Sequence, residues 1–169
     1  MLVLFTDTDT DMTPEIAKKY GYHLISMPYS FGDEEIFPYE SFSKFDEKEF
    51  YSKLRNGAMP KTSGLSPEKY RSYFEPFFKD GQDILYIHFS PNFSGTFSAM
   101  NLALDELKKE YPERKFFTLD TNAISLLSLN ILLEAGQMYL DGKSAEEIVA
   151  WGEKEANNFS MYLTVEDLT

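Results

Sequence analysis

Ser94-Gly95-Thr96 follows an apolar, strand-like run, Ile84 to Phe89, and opens a helix-like run from Phe97 to Leu107. Small hydroxyl residues and a glycine at a strand-to-helix junction leave backbone N–H groups and hydroxyls free to hold an anion. A second hydroxyl pair, Thr62-Ser63, stands just before another helix start at Ser66-Pro67. Either cluster taken alone also reads as a helix cap. Together, in loops beside elements of one sheet and with no nucleophile–base pair nearby, they point to a site that holds a carboxylate or phosphate. An esterase or protease reading is weak, because no G-x-S-x-G elbow surrounds Ser94. The two histidines add little: His88 lies inside a strand-like run and reads as core, and His23 has no sequence partner.

A third constellation, Thr6-Asp7-Thr8-Asp9-Thr10-Asp11, directly follows the first strand-like run. Open α/β folds put their ligands at that carboxyl edge. Asp7 and Asp9 have the D-x-D spacing of a magnesium-dependent phosphohydrolase of the haloacid dehalogenase type. No paired acidic motif follows a later strand to complete such a metal site, so no metal site is expected. A calcium loop fits worse, since Met12 takes the place of the turn glycine and Lys18 that of the bidentate glutamate. The alternative role is to cap the first helix and order the loop.

These residues need a scaffold, and the chain supplies an alternating one. Strand-like runs at 2–6, 22–31, 83–89, 115–119 and 159–165 are separated by helix-like stretches at 13–20, 46–55, 66–79, 97–110, 123–141 and 144–157. Alternation of this kind predicts crossover connections and a mostly parallel sheet. Thr13-Pro14-Glu15, Ser66-Pro67-Glu68 and Ser144-Ala145-Glu146-Glu147 read as helix starts. The region 32–45 lacks a period and is expected to be an irregular excursion with one short strand or edge segment. The aromatic residues at 70, 73, 74, 77 and 78, and Phe97, Met100, Leu104 and Leu107, follow helical spacing and read mostly as core.

With 169 residues, 43% of them hydrophobic and 16% aromatic, the chain suits one well-packed domain. No run approaches the roughly 20 apolar residues of a membrane span. The first residues lack a basic leader and cleavage site, so the cytoplasm is the expected compartment. The absence of cysteine excludes disulfides and thiolate metal sites, and a formal charge of −12 argues against nucleic acid and anionic membranes.

The ordered set of motifs resembles the DegV family, which includes the fatty-acid-binding subunits of bacterial fatty acid kinase. Thr6 through Met12 is similar to its T-D-S-x-x-D-L opening, and Lys61 through Pro67 to its T-S-x-x-S-P motif. Ser90 through Phe97 resembles S-S-x-x-S-G-T-Y, Asp120-Thr121 a D-S pair, and Gly142 through Val149 a G-x-S-x-E-E-I helix start; Tyr162 to Leu168 resembles the strand and turn that follow. The resemblance implies an α/β, Rossmann-like, mostly parallel sheet with helices on both faces. It implies that 1–169 is the N-terminal lobe, in truncated or single-lobe form, with the family's second lobe absent. It further implies a lipid-binding carrier, not an enzyme, holding a long-chain fatty acid as ligand with no cofactor. Thr62 and Ser94 would hold the carboxylate, with Ser63, Gly95 and Thr96 as a second tier, for phosphorylation by a partner fatty acid kinase subunit. Two departures stand out: Thr8 and Thr121 replace serines, and Leu126, Leu127 and Leu129 fill a stretch where the family often has a glycine-rich turn. The phosphohydrolase, or a structural lobe with a vestigial site, is the alternative.

Overall fold

The computed structural model describes residues 1–162 and Thr164. In chain order the elements are β1 (Leu2–Asp7), α1 (Pro14–Tyr20), β2 (Tyr22–Ile25), β3 (Tyr29–Phe31), β4 (Glu34–Ile36), α2 (Glu47–Arg55) and β5 (Lys61–Thr62). They are followed by α3 (Pro67–Lys79), β6 (Asp83–His88), α4 (Thr96–Glu110), β7 (Phe116–Asp120), α5 (Ser125–Leu140) and α6 (Ala145–Glu155). The main sheet has four parallel strands in the order β2-β1-β6-β7. From β1 the chain goes out to β2 and then back past β1 to β6. The strand order therefore reverses between β1 and β6, and at that point the carboxyl ends of the strands open a crevice.

Alternation along the strands builds two cores. Val3, Phe5, Ile84 and Tyr86 face α3 and α4 with Phe74, Phe78, Leu104 and Leu107. Leu4, Leu85, Ile87 and Leu119 face the opposite way, onto Ala17 of α1, Leu132 and Ala135 of α5, and Ile148 of α6. Both faces of the sheet are thus covered, as parallel strands require. Tyr70, Phe74 and Phe78 of α3 and the apolar stripe of α4 are core residues, as their spacing predicts, with Tyr73 and Phe77 partly buried against them.

The helix starts form where the sequence signals put them. Thr13 Oγ1 accepts from the Ile16 N–H at 3.3 Å ahead of Pro14, and Ser66 Oγ accepts from the Lys69 N–H at 3.2 Å ahead of Pro67. At α6 the Ser144 and Glu147 side chains cap each other's backbone N–H, at 3.2 and 2.9 Å. Such reciprocal capping satisfies two donors that a helix start otherwise leaves open.

Two expected strands differ in the structure. The run 22–31 is not continuous: parallel pairing ends at Ile25 opposite Asp7, and β3 pairs antiparallel with β4 and β5 in a separate three-stranded sheet. The break falls at Ser26-Met27-Pro28. There the Ser26 N–H donates to the Tyr73 phenol (3.1 Å) and the Met27 N–H to Thr8 Oγ1 (3.0 Å), while Pro28 has no N–H to give. Of the strand expected over 159–165, Phe159–Tyr162 are not in a strand. A 3-10 turn at Ala156–Asn158 extends α6 and lays Phe159 against Trp151, with ring centroids 6.3 Å apart. Leu163 and the residues from Val165 onward lie outside the described residues, and with them most of the turn expected over 162–168.

Candidate functional site

A cavity of about 560 Å³ opens over the carboxyl ends of all four parallel strands. Thr8, Asp9, Asp11 and Met12 enter its wall from the end of β1, Met27 and Pro28 from beyond β2, Phe89 from the end of β6, and Ile124 from beyond β7. Its size lies within the range of small-molecule sites, roughly 300–1,000 Å³. Thr62, Ser63 and Gly64 border it on one side, Phe93 and Ser94 on another. The two hydroxyl clusters, more than thirty residues apart in sequence, thus meet at one cavity.

Their local chemistry differs. Ser94 Oγ accepts from the Thr96 N–H at 3.2 Å, in the manner of a cap, which leaves its O–H available to donate. Ser63 Oγ donates to Glu35 Oε1 at 3.2 Å, and its N–H donates to the Pro28 carbonyl at 3.3 Å. Thr62 is exposed and pairs with Tyr29 across β5 and β3. Gly95 and Thr96 do not border the cavity: Gly95 is exposed at the cap position of α4, and Thr96 is buried beneath it. Thr121 is likewise a structural residue, buried and bonded to the His88 carbonyl (2.9 Å) and Ser128 Oγ (2.8 Å).

Another part of the wall is mostly aromatic, and sequence patterning did not single it out. Tyr29, Pro38, Tyr39, Phe42 and Phe45 all come from the stretch beginning at β3 and running through the aperiodic region. That region folds because β3, β4 and β5 pair and because Phe50 of α2 packs against Tyr29, Phe31 and Phe45, with centroids 5.2–5.7 Å apart. The signal available in the sequence was compositional: seven aromatic residues between positions 29 and 50, without a repeat.

Asp7 occupies the switch point itself and is fully buried. Its Oδ1 accepts from the Asp9 N–H (3.1 Å), and its Oδ2 from the Tyr86 phenol (2.8 Å) and the Phe89 N–H (3.3 Å). Burial first, and then the charge of Asp9, push its carboxyl up to about 8. Asp9 does border the cavity, and burial with the neighbouring Asp11 charge raises it to about 6. A phosphohydrolase nucleophile must reach its substrate, whereas both oxygens of Asp7 are taken up inside the protein. Among the described residues, no three His, Cys, Asp or Glu side chains cluster to hold a metal ion. The cavity wall carries no Lys, Arg or His among the described residues, and it includes the carboxyls of Asp9 and Asp11, so an anionic head group would have to lie on the hydroxyl side, away from them.

Neither histidine belongs to the site. His88 is buried, its Nδ1 lies 2.8 Å from the Phe89 carbonyl, and burial lowers its pKa. His23 stacks near Phe5 and Phe77 on the outer strand. Among the described residues no helix is long and apolar enough to cross a membrane.

Known proteins share this sequence pattern and fold. A family model described as an uncharacterised protein of the DegV family matches residues 1–169. A DegV domain-containing protein of Clostridium perfringens is 34% identical over 166 residues, covering 98% of this chain and 57% of the relative. A DegV family protein from Thermus thermophilus, described by its fatty acid binding, superposes with a TM-score of 0.76 at 25% identity, over 92% of this chain and 53% of that one. A stearic acid-binding protein from Eubacterium ventriosum shares the fold with a TM-score of 0.79 at 20% identity, over 90% and 52% of the two chains. The chain therefore spans about half the length of the relatives it matches.

Proposed function

The chain belongs to the DegV family, and from that premise we propose that it is the N-terminal lobe of a carrier that holds a long-chain fatty acid. Thr62 and Ser94 donate to the carboxylate, with Ser63 beside them, and the tail lies against the aromatic wall from Tyr29 to Phe45. One observation supports this most: the two hydroxyl clusters border the same cavity as Tyr29, Phe42, Phe45 and Phe89. A head that accepts hydrogen bonds, joined to an apolar body, is the ligand such a cavity suits. The description of the Thermus thermophilus relative as a fatty acid binder agrees with it.

The energetics divide the labour. About fifteen methylenes at about 0.8 kcal/mol each contribute on the order of 10 kcal/mol before ordering costs. A hydrogen bond to a carboxylate adds about 1.5–3 kcal/mol. The tail supplies affinity and the hydroxyls supply orientation. Orientation matters because phosphoryl transfer needs the attacking oxygen held in line. In this reading the chain is not an enzyme: a separate fatty acid kinase subunit phosphorylates the presented carboxylate. That step rests on the family resemblance, and the burial of Asp7 favours it over the phosphohydrolase alternative.

Mass spectrometry of lipid extracted from the purified protein tests the reading. A long-chain fatty acid near one per chain is the expected result, and Ser94→Ala should weaken rebinding about tenfold by loss of a charge-assisted hydrogen bond. Protein that yields no lipid and binds none when offered it would refute the carrier role.

A further inference from the structure

Thr96 carries a hydroxyl that the cavity does not use. It is the first residue of α4, is 4% exposed, and does not border the cavity. Its Oγ1 accepts from the Leu65 N–H at 3.0 Å and shares a second hydrogen bond, also 3.0 Å, with the Tyr70 phenol. Its own N–H donates to Ser94 Oγ at 3.2 Å. Through its side chain Thr96 grips the segment that follows Thr62, and through its amide it grips Ser94.

The connection bridges two substructures. Thr62 belongs to the three-stranded antiparallel sheet, through its pairing with Tyr29. Ser94 belongs to the main sheet, at the junction of β6 and α4. Gly64 lets the two approach closely: a Cβ built on it would lie 3.2 Å from Thr96 Cβ and 3.3 Å from Thr96 Oγ1. The absence of a side chain at position 64 is therefore a matter of contact distance.

We propose that Thr96, packed against Gly64 and bonded to Leu65, is a positioning residue that sets the spacing of Thr62 and Ser94 and thereby governs carboxylate recognition without touching the ligand. The inference rests on the reading of those two hydroxyls as the carboxylate site. A side chain that only stabilises the fold would affect every ligand of the cavity alike. A side chain that spaces the hydroxyls affects ligands with a carboxylate and spares those without one.

The discriminating measurement is the ratio of dissociation constants for palmitate and 1-hexadecanol, which share a chain length and differ in the head group. Both are measured on the full chain, with near-ultraviolet circular dichroism verifying folded protein. Wild type should prefer palmitate. Thr96→Val, which keeps the shape and removes Oγ1, should cut that preference about tenfold, the loss of one aligned hydrogen bond. Thr96→Ser should restore it. Gly64→Ala supplies an independent arm should the valine variant fail to fold: pushing the two segments apart should also lower the preference. If Thr96→Val and Gly64→Ala weaken both ligands equally and leave the preference intact, the positioning role is overturned while the carboxylate site stands. If wild type itself shows no preference, the carboxylate site is wrong, and the inference falls with it.

Discussion

Asp7 is in an unfavourable place for a charge, fully buried and next to a second carboxyl, and it still makes three hydrogen bonds. The bonds fasten the loop after β1 and the loop after β6 to the switch point, and the shifted pKa follows from the burial. An unfolded Asp7 loses its proton near 3.8, whereas the folded group keeps it up to about 8. Between those values the folded chain binds a proton that the unfolded chain has released, so stability falls as pH rises through the window. Asp9 adds to the same slope over the narrower interval from 3.8 to about 6. The unfolding free energy from urea titrations should therefore decline between pH 5 and 8.5 by on the order of a few kcal/mol. Asp7→Asn should flatten that decline, and an unchanged slope in the variant would remove Asp7 as its source. The D-x-D spacing was visible in the sequence, and so was its place after a strand. What the spacing hides is that alternate residues part company: Asp7 turns into the protein while Asp9 borders the cavity. The 3-10 turn over Thr8–Thr10, which Asp7 caps, separates them. Thr96 was hidden for a related reason, since its partners Leu65 and Tyr70 lie some thirty residues away and are joined to it by folding alone.

Among the elements, the helices were legible and the short strands were not, and the difference lies in where the information resides. A cap is a local device, so Thr13, Ser66 and Ser144 mark α1, α3 and α6 within a few residues. The pairing of β3 with the two-residue β5 joins positions more than thirty apart and leaves no period to read. Pro28 in an apolar run was the available hint that the run 22–31 must break. The seating of α6 on β7 is a second case of tertiary fit. A Cβ on Gly152 would stand 2.3 Å from Leu119 Cδ2 and 3.0 Å from its Cγ, and Leu119 is itself buried. Gly152→Ala overpacks this contact and should cost about 1–3 kcal/mol, despite the better helix propensity of alanine. Adding Leu119→Ala should return part of that loss, so the double mutant would be less destabilised than the two single effects summed. Additive single effects in urea unfolding would show that the helix shifts freely and that the fit is not tight.

At the scale of the whole molecule, the strand–helix alternation announced a mostly parallel sheet, the family resemblance added helices on both its faces, and the sheet order places its switch point under the cavity. The same scale brings out the consequence of spanning about half the length of its relatives. Thr62 and Ser63 are exposed at the rim, and Phe93 beside Ser94 is 61% exposed. In a two-lobed carrier a second lobe would supply further contact to the tail. If half of that contact is missing here, the loss is several kcal/mol on the estimate of about 0.8 kcal/mol per methylene. Any apolar surface that such a lobe would cover also favours association, since patches beyond a few hundred Å² are uncommon on monomers. The 169-residue chain should therefore bind palmitate at least a hundredfold more weakly than a full-length family member, or else associate with itself to cover the cavity, as roughly 3 kcal/mol of lost contact requires. Calorimetry and light scattering on the two proteins, side by side, separate these outcomes. A chain that stays monomeric and matches the affinity of the longer relative would mean that one lobe encloses the ligand by itself, with the aromatic wall from Tyr29 to Phe45 serving as the whole enclosure.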